Sequence, residues 1–268
     1  MIEDKFDIEL FCRLNTEYES KPLVPKPRTF DSASLKKEGQ SRVSGLVKLF
    51  AQVSKTPMQG KRVLEIGCGR GNTAFDLATT IGCEVVGVDI VEYSHWKEYQ
   101  SPNVSFHKID ISAEDYSFLG QFDFIYSYAV WEHILHPFGA LEAAKNLLRP
   151  LGTSQEGGFY LTANLYRGPK ASHRYREVYF PWPHLLFEDN IFAEYYSRIG
   201  RKGRPAWVNK LVSAEYLLYF QLLNLKAKKI WYSQTKIDED FYNRFHDKLG
   251  RYPRFDLEKD FIHALLTV

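Results

Sequence analysis

Apolar residues along the chain switch between two spacings, and the switches predict strands and helices in alternation. The segment 61–67 carries a nearly continuous apolar run, which is typical of a parallel strand covered on both faces. In the segment 43–50 the apolar residues instead recur with the spacing of one face of a helix. The same helical spacing returns in 72–82, where Asn72 or Thr73 can cap the start and Gly82 the end.

From residue 61 onward, this pattern alternates strand and helix. Strands are predicted at 61–67, 84–90, 103–111, 122–130, 157–165, 226–234 and 260–268. Helices are predicted at 43–50, 72–82, 94–99, 140–152, 211–225 and 238–250. Such alternation indicates a parallel sheet with right-handed crossovers. Two segments do not fit the pattern: residues 1 to about 35, predicted to be an irregular arm because prolines interrupt it, and 166–208, which is rich in aromatic, basic and proline residues.

Composition narrows the class of protein without giving a function. The 268 residues suit one domain with insertions or at most two, and 44% hydrophobic with 25% charged residues is typical of a soluble globular chain. A net charge of +2 gives no reason to expect a nucleic-acid partner. The three cysteines have spacings that favour reduced thiols. The acidic start lacks the plan of a signal peptide, and no apolar run approaches the roughly 20 residues of a membrane span. We therefore expect a cytoplasmic protein.

Three glycines at alternate positions follow the first predicted strand, in the stretch EIGCGRG at 65–71. Gly67, Gly69 and Gly71 cost conformational entropy, and a surface turn rarely needs three of them. A backbone that passes very close to a ligand does need them, and the next helix points its N-terminal amides at that ligand. The spacing is not the G-x-G-x-x-G of dinucleotide sites, and Glu65 would repel a pyrophosphate. The loop and Glu65 together therefore favour a cationic ligand.

Two further carboxylates end the next two predicted strands. Asp89 ends the second strand, where a carboxylate can accept hydrogen bonds from both ribose hydroxyls. Asp110 ends the third, where it could accept one from the exocyclic amino group of adenine. Any one of these acids is readily explained as a helix cap or a solvated loop end. Glu65, Asp89 and Asp110 together instead describe a site for a nucleoside with a positively charged amino-acid tail.

With these residues the sequence resembles the class I S-adenosylmethionine-dependent methyltransferases. The matching stretches are VLEIGCGRG, VVGVDI, HKIDIS, FDFIYSYAVWEHI and LLRPLGTSQEGGFYLTAN, and the resemblance covers about 45–165. It implies a Rossmann-like, doubly wound α/β fold with a seven-stranded, mostly parallel sheet and an antiparallel last strand. We divide the chain into an N-terminal arm contributing to a cap (1–40), a cofactor-binding core (41–165), a substrate-cap insert (166–208) and a C-terminal part of the core sheet (209–268).

The resemblance also implies how S-adenosylmethionine, and its product S-adenosylhomocysteine, would be held. The loop from Gly67 to Gly71, with Cys68, would contact the methionine part, and Glu65 would support that loop or meet the amino group indirectly. The residues implied for ribose and adenine are Asp89, Ile90, Asp110 and Ile111. Ser127 and Tyr128, at the end of the fourth strand, would line the sulfonium.

The pair Glu132–His133 follows the fourth strand, at the lip of the expected pocket. A histidine can take a proton near neutral pH, so this pair is the candidate for the catalytic base. The alternative is that the pair caps or packs the next helix. Relatives in quinone biosynthesis can hold a metal through E-x-x-E-H. Here Ala129 stands at the first position of that motif, so no metal is expected.

The insert 166–208 and the end of the fifth strand are predicted to cover the acceptor. The candidate acceptor-binding residues are Asn164, Tyr166, Arg167, His173, Arg174 and Trp182. Aromatic rings stack on sugar or ring faces, and arginines hold phosphate or carboxylate. The alternative is that most of these aromatic residues form a small core that closes the insert.

The presence of a base bears on the acceptor, because an alcohol needs one whereas a neutral amine does not. We therefore expect O-methylation of a small polar molecule, such as a sugar or a nucleotide-sugar. N-methylation of a small amine and a non-catalytic S-adenosylmethionine-binding protein are the alternatives. The expected partner is the small-molecule acceptor, with no nucleic acid and no membrane span, and a homodimer is left open.

Overall fold

A seven-stranded sheet forms the centre of the computed structural model, which describes residues 6–24, 31–149, 157–201 and 207–268. The strands are β1 (Arg62–Ile66), β2 (Glu84–Asp89), β3 (Val104–Lys108), β4 (Phe124–Tyr128), β5 (Gly158–Asn164), β6 (Lys226–Gln234) and β7 (Lys259–Thr267). The helices are α1 (Ile8–Glu17), α2 (Ser32–Phe50), α3 (Asn72–Ile81), α4 (Pro137–Leu147), α5 (Pro183–Leu186), α6 (Asp189–Arg198), α7 (Ser213–Leu222), α8 (Glu239–Arg244), α9 (His246–Leu249) and α10 (Arg254–Glu258).

The strand order is β3-β2-β1-β4-β5-β7-β6. β1 pairs in parallel with β2 and β4, β2 with β3, and β4 with β5. The last strand, β7, lies between β5 and β6, and the sheet ends in antiparallel strands. The predicted Rossmann-like α/β fold, with a mostly parallel seven-stranded sheet and an antiparallel last strand, is confirmed.

The start of α3 differs from the predicted cap. Gly71 is the N-cap, in the left-handed conformation and without a side-chain hydrogen bond to the helix. Asn72, predicted to cap, instead donates from its buried Nδ2 atom to Leu35 O of α2 at 3.0 Å. Gly82 ends the helix as predicted, with its amide bonded to Ala78 O.

The arm at the start of the chain is partly helical, so the prediction of an irregular segment is wrong for α1. Asp7 caps this helix, because its Oδ1 atom accepts hydrogen bonds from the amides of Glu9 and Leu10 at 3.1 Å each. The helix buries Phe11 and Leu14 completely. Within 166–208, where neither helix nor strand was evident over most of the segment, the chain forms α5 and α6.

The chain divides into two compact units. Unit 1 takes its residues from Met1–Arg28, Asn164–Ser213 and Tyr232–Ile262, and unit 2 from Thr29–Ala163, Ala214–Trp231 and His263–Val268. The segment 209–268, treated above as one part of the core, therefore contributes residues 232–262 to the same unit as α1 and the insert.

Unit 1 has an aromatic core of its own. The ring of Phe11 meets the rings of Phe180, Phe187 and Phe192 edge-on at centroid distances of 5.2, 5.0 and 5.2 Å. Aromatic pairs in this geometry contribute beyond their buried area. The aromatic richness of the insert therefore serves packing to a large extent.

Unit 2 holds the core between the sheet and the helices α2 and α3. Phe50 of α2 packs edge-on against Phe124 of β4 at 5.6 Å, in a cluster with the apolar residues of β1 and α3. This packing fixes the helices that flank the glycine loop relative to the strands that carry the predicted carboxylates.

Candidate functional site

The glycine loop after β1 is left-handed at each of its three glycines. Gly67, Gly69 and Gly71 have φ angles of 74°, 51° and 87°, a region that favours glycine. A Cβ atom at Gly67 would lie 2.3 Å from Val130, whereas at Gly69 it would meet no described atom within 4 Å. The loop is therefore tightly packed at Gly67 and leaves open space above Gly69.

Glu65 lies at the end of β1 with 3% of its surface exposed. Burial raises its pKa to about 8, while Arg42, Tyr126 and the amide of Ala74 act in the opposite direction. Among the described residues its Oε2 atom has no hydrogen-bond partner. A buried carboxyl oxygen without a hydrogen-bond partner is costly, and a ligand that brings a donor or a positive charge would relieve that cost.

Asp89 ties the glycine loop to the end of β2. Its Oδ2 atom accepts a hydrogen bond from Gly69 N at 2.9 Å, and its Oδ1 atom accepts one from Val91 N at 3.0 Å. Each carboxylate oxygen has further acceptor capacity. Asp89 can therefore hold the loop and still accept hydrogen bonds from ligand hydroxyls, beside the 63% exposed side chain of Ile90.

Trp96 braces the same loop and was missed from the sequence. Its indole Nε1 donates to Gly69 O at 2.8 Å, and its ring stacks on Phe106 at a centroid distance of 5.4 Å. Phe106 in turn leaves no room for a side chain at Gly71, where an added Cβ would lie 2.6 Å from its ring. The sequence signal available for Trp96 is its position on the short helix between the second and third strands.

Asp110 lies two residues beyond β3. Its Oδ1 atom accepts hydrogen bonds from Ser112 N at 2.9 Å and from Ser112 Oγ at 2.6 Å. The turn therefore uses Oδ1 and leaves Oδ2 as the oxygen for an external donor. The neighbouring Ile111 is buried, at 5% exposure.

Ser127 and Tyr128 end β4. Ser127 is fully buried, and within the described ranges its Oγ atom has no hydrogen-bond partner. Tyr128 lies under the guanidinium of Arg42, 4.7 Å from its ring centroid, and burial raises its pKa to about 12. Arg42, which also pairs with Glu38 at 2.8 Å, was missed from the sequence. Its sequence signal is its place beside the apolar stripe of α2.

Glu132 and His133 lie on a 3-10 turn, Trp131–His133, just after β4. Glu132 is buried at 1% exposure, whereas His133 is half-buried and donates its amide to Val130 O at 2.8 Å. The residue before this turn's cap, Ala129, has a φ of 53°, in the left-handed region. The backbone thus turns sharply between the end of β4 and this acid–imidazole pair.

Parallel pairing brings the predicted cofactor and catalytic residues of unit 2 to one edge of the sheet. Because β1 to β4 pair in parallel, the loops that follow them lie at the same edge. These residues are Glu65, Gly67, Cys68, Gly69, Gly71, Asp89, Ile90, Asp110, Ile111, Ser127, Tyr128, Glu132 and His133. Burial raises the pKa of the Cys68 thiol, so the loop adds no thiolate to this set. With the orphan oxygen of Glu65 and the open space above Gly69, the edge fits a cationic nucleoside.

In unit 1, the acceptor candidates Asn164, Tyr166 and His173 contact protein groups. The buried Asn164 donates from Nδ2 to Asp260 O at 2.7 Å, and its Oδ1 atom lies 3.3 Å from His173 Nε2. Tyr166 is half-buried, and its carbonyl accepts from Nε2 of His184 at 2.6 Å. Burial lowers the pKa of His184 to about 4, so this ring is neutral at pH 7.

The predicted role of Trp182 in acceptor binding is contradicted, because the side chain belongs to the core of unit 1. Trp182 is 1% exposed and donates from Nε1 to Leu257 O at 3.2 Å. A ligand would reach it only through the surrounding core.

The two arginine candidates are also paired within unit 1. Arg167 pairs with Asp256 at 2.7 Å, and Arg174 pairs with Asp189 at 3.2 Å while lying 3.8 Å from the ring centroid of Phe192. Burial lowers the pKa of Arg174. An anionic acceptor would therefore have to compete with these carboxylates.

Comparison with known proteins adds the family. A family model described as a methyltransferase domain matches residues 36–196. The ubiquinone biosynthesis O-methyltransferase of Albidiferax ferrireducens is 31% identical over 121 residues, which cover 43% of this chain and 45% of that protein. The corresponding protein of Dinoroseobacter shibae is 36% identical over 122 residues, which cover 44% of this chain and 46% of that protein. The chain thus matches about half the length of these relatives.

Solved structures share the fold. A SAM dependent methyltransferase from Archaeoglobus fulgidus has a TM-score of 0.51 at 13% identity, over 87% of this chain and 94% of that one. The plantazolicin methyltransferase in complex with SAH has a TM-score of 0.51 at 16% identity, over 97% of this chain and 96% of that one.

Within the described ranges, no helix combines the length and apolar character that crossing a bilayer requires.

Proposed function

Because the chain belongs to the methyltransferase domain family, in its class I S-adenosylmethionine-dependent form, we propose that it transfers the methyl group of S-adenosylmethionine to a hydroxyl of a small acceptor. The observation that carries the proposal is the buried carboxyl of Glu65, whose Oε2 atom has no hydrogen-bond partner among the described residues, behind a loop with open space above Gly69. Both features suit a ligand that combines a cationic amino-acid tail with a nucleoside.

The protein's part in the reaction is to bind and orient. S-adenosylmethionine supplies an electrophilic methyl group on a sulfonium, so no further activation of the donor is needed. Asp89 would accept hydrogen bonds from the ribose hydroxyls, and Oδ2 of Asp110 would accept one from the adenine amino group. The glycine loop would hold the methionine part against the backbone, and Ser127 would face the sulfonium. Alignment of donor and acceptor then supplies most of the rate.

An oxygen acceptor requires that its proton be removed, and the Glu132–His133 pair would do this. His133 would take the hydroxyl proton as the oxygen attacks the methyl carbon, and the buried Glu132 would stabilise the imidazolium. The relatives are named as O-methyltransferases of ubiquinone biosynthesis, which supports oxygen as the acceptor atom. Their name also makes a hydroxyl of a compound in ubiquinone biosynthesis a second acceptor class, beside the sugar or nucleotide-sugar hydroxyl.

Cofactor binding is the first test. Calorimetric titration with S-adenosylmethionine and with S-adenosylhomocysteine is expected to give saturable binding that Asp89→Ala abolishes. Asp89→Asn keeps one acceptor oxygen for the loop and is expected to bind weakly rather than not at all. The exposed Asp247 on α9 provides a control, and Asp247→Ala is expected to bind like wild type. Folded wild-type protein that binds neither compound would overturn the proposal.

Acceptor chemistry is the second test. Methyl transfer is assayed on matched pairs of sugars, nucleotide-sugars and catechols that carry either a hydroxyl or an amine. We expect product from hydroxyl acceptors alone. His133→Ala is expected to abolish transfer to hydroxyl acceptors and to change the dependence of the rate on pH. Activity restricted to amines, or a pH profile equal to that of wild type, would contradict the role of His133 as base.

A further inference from the structure

Helix α7 exposes an apolar side to solvent. It buries its other side in the core, yet Leu217, Leu218 and Leu222 are 40%, 49% and 59% exposed. These three residues form what we call the leucine face. The same side of the helix carries Glu215 as its one charged residue. Contiguous apolar patches on the surface of soluble proteins are often binding surfaces.

A cluster of positive charge follows the leucine face in the chain. Lys226, Lys228 and Lys229 begin β6, and all three are exposed. β6 is one of the two edge strands of the sheet. None of the three ammonium groups forms an ion pair with a described residue, although Lys229 lies over the ring of Trp231 at 5.0 Å.

Strand alternation separates these lysines between the two faces of the sheet. Trp231 stacks on His263 of β7 with a centroid distance of 5.0 Å and an interplanar angle of 7°. Lys229 shares that face with Trp231, because alternate residues of a strand point the same way. Lys226 and Lys228 therefore project from the opposite face.

Helix α7 begins on the side of the sheet that carries Lys226 and Lys228. Its first residue, Ser213, bonds through its hydroxyl to the hydroxyl of Tyr232 at 2.7 Å, and Tyr232 is in phase with these two lysines on β6. The turn between α7 and β6 is anchored by the buried Leu225, whose amide donates to Phe220 O at 2.8 Å. The leucine face and the two lysines thus lie on one side of the sheet in a fixed arrangement.

We infer that the leucine face with Lys226 and Lys228 is a docking surface for an anionic lipid bilayer. Leucine side chains enter the interface between headgroups and acyl chains, and neighbouring lysines hold acidic headgroups. The protein docks on the surface of the bilayer through one side of helix α7.

Charge favours this occupant over a second copy of the chain. Two copies pairing through the β6 edge would bring their lysine clusters together, and lysines on an edge strand oppose such pairing. An anionic polymer such as a nucleic acid would neutralise the lysines but would leave the leucine face in water. An anionic bilayer satisfies both parts of the surface.

Flotation with lipid vesicles tests the inference without any need for methyl transfer. The full chain is mixed with vesicles of phosphatidylcholine alone or of phosphatidylcholine with phosphatidylglycerol. We expect binding to the anionic vesicles that falls as salt rises. The double variant Leu218→Ser with Leu222→Ser should lower the partition coefficient at least about tenfold. Lys226→Gln with Lys228→Gln should lower it about tenfold on the anionic vesicles.

Matched controls come from the opposite edge of the sheet, at β3. Phe118 is 62% exposed there, and Lys97 and Lys108 are exposed. Phe118→Ser, and Lys97→Gln with Lys108→Gln, should bind vesicles like wild type. Absence of wild-type binding, or equal binding by the test and control variants, would overturn the inference. So would a dimer in sedimentation equilibrium that Leu218→Ser with Leu222→Ser dissociates, because the face would then belong to a second copy.

Discussion

Replacement of Glu65 by glutamine tests whether an uncharged carboxyl is buried behind the glycine loop. Burial raises the pKa of Glu65 from 4.5 to about 8, against the opposing effects of Arg42 and Tyr126. Between these two pKa values the folded chain binds more protons than the unfolded chain, so the free energy of unfolding falls as pH rises. The contribution of Glu65 to the free energy of unfolding is fully present below about pH 4.5 and is lost as pH rises through about 8. Between about pH 5.5 and about pH 7.5, the free energy of unfolding therefore falls by about 2.5 kcal/mol because of Glu65.

Urea unfolding at these two pH values, followed by tryptophan fluorescence, measures this loss. From the lower to the higher pH, the free energy of unfolding of wild type is expected to fall by about 2.5 kcal/mol more than that of Glu65→Gln, because glutamine has the same shape but does not titrate. Glu114 is exposed, and Glu114→Gln serves as the control that should follow wild type. If Glu65→Gln and wild type change equally with pH, Glu65 is ionised in the folded protein and the reasoning from burial is refuted.

Three further substitutions test the packing around the loop and in unit 1. Gly71→Ala should destabilise by about 2 kcal/mol or more, because alanine is strained at a φ of 87° and its Cβ would lie 2.6 Å from Phe106. A melting temperature equal to that of wild type would contradict this. Trp96→Phe keeps the stacking but loses the hydrogen bond to Gly69 O, so calorimetry should show about threefold to tenfold weaker binding of S-adenosylmethionine. An unchanged affinity would mean that Trp96 does not position the loop. In unit 1, the side chain of Asn15 donates from Nδ2 to Glu177 O and to the hydroxyl of Tyr195, and its Oδ1 atom accepts from the amide of Tyr179. Asn15→Ala removes these three hydrogen bonds and should lower the unfolding free energy by about 2 to 3 kcal/mol. A loss below about 0.5 kcal/mol in urea unfolding would show that water replaces them.

The sheet could be predicted from the sequence because burial on both faces leaves a local signature. The continuous apolar runs of β1 and β4 are set by their own residues, and strand–helix alternation then fixes the parallel order. The carboxylates could be placed at the strand ends for the same reason, because the sequence pattern also shows where each strand ends. Glu65, Asp89 and Asp110 therefore lie at one edge, as expected from the parallel pairing.

What escaped prediction depends on partners far away in the chain. Asn72 could cap its own helix, but its amide donates to Leu35 of another helix, and no local pattern reports that choice. Trp182 was predicted to bind the acceptor, yet its side chain is buried and its indole Nε1 donates a hydrogen bond to Leu257 O, 75 residues later in the chain. Arg42 belongs to the site through Tyr128, which only the packing of α2 on the sheet reveals.

The carboxylates that follow β1, β2 and β3 differ in how many of their oxygens already have partners in the protein, and this difference predicts which of them selects the charge of a ligand. Asp89 accepts hydrogen bonds from the amides of Gly69 in the glycine loop and Val91 in its own turn, and Asp110 accepts one from the amide of Ser112, so the cost of their partial burial is already offset. Glu65 is more deeply buried and retains an oxygen without a partner among the described residues. A neutral ligand in the loop would leave that cost unchanged, whereas a cation would stabilise the charged carboxylate and lower its pKa. We therefore expect selectivity for a positively charged tail to depend on Glu65. We expect the two aspartates mainly to hold the loops and to accept hydrogen bonds from the hydroxyl and amino groups of a nucleoside.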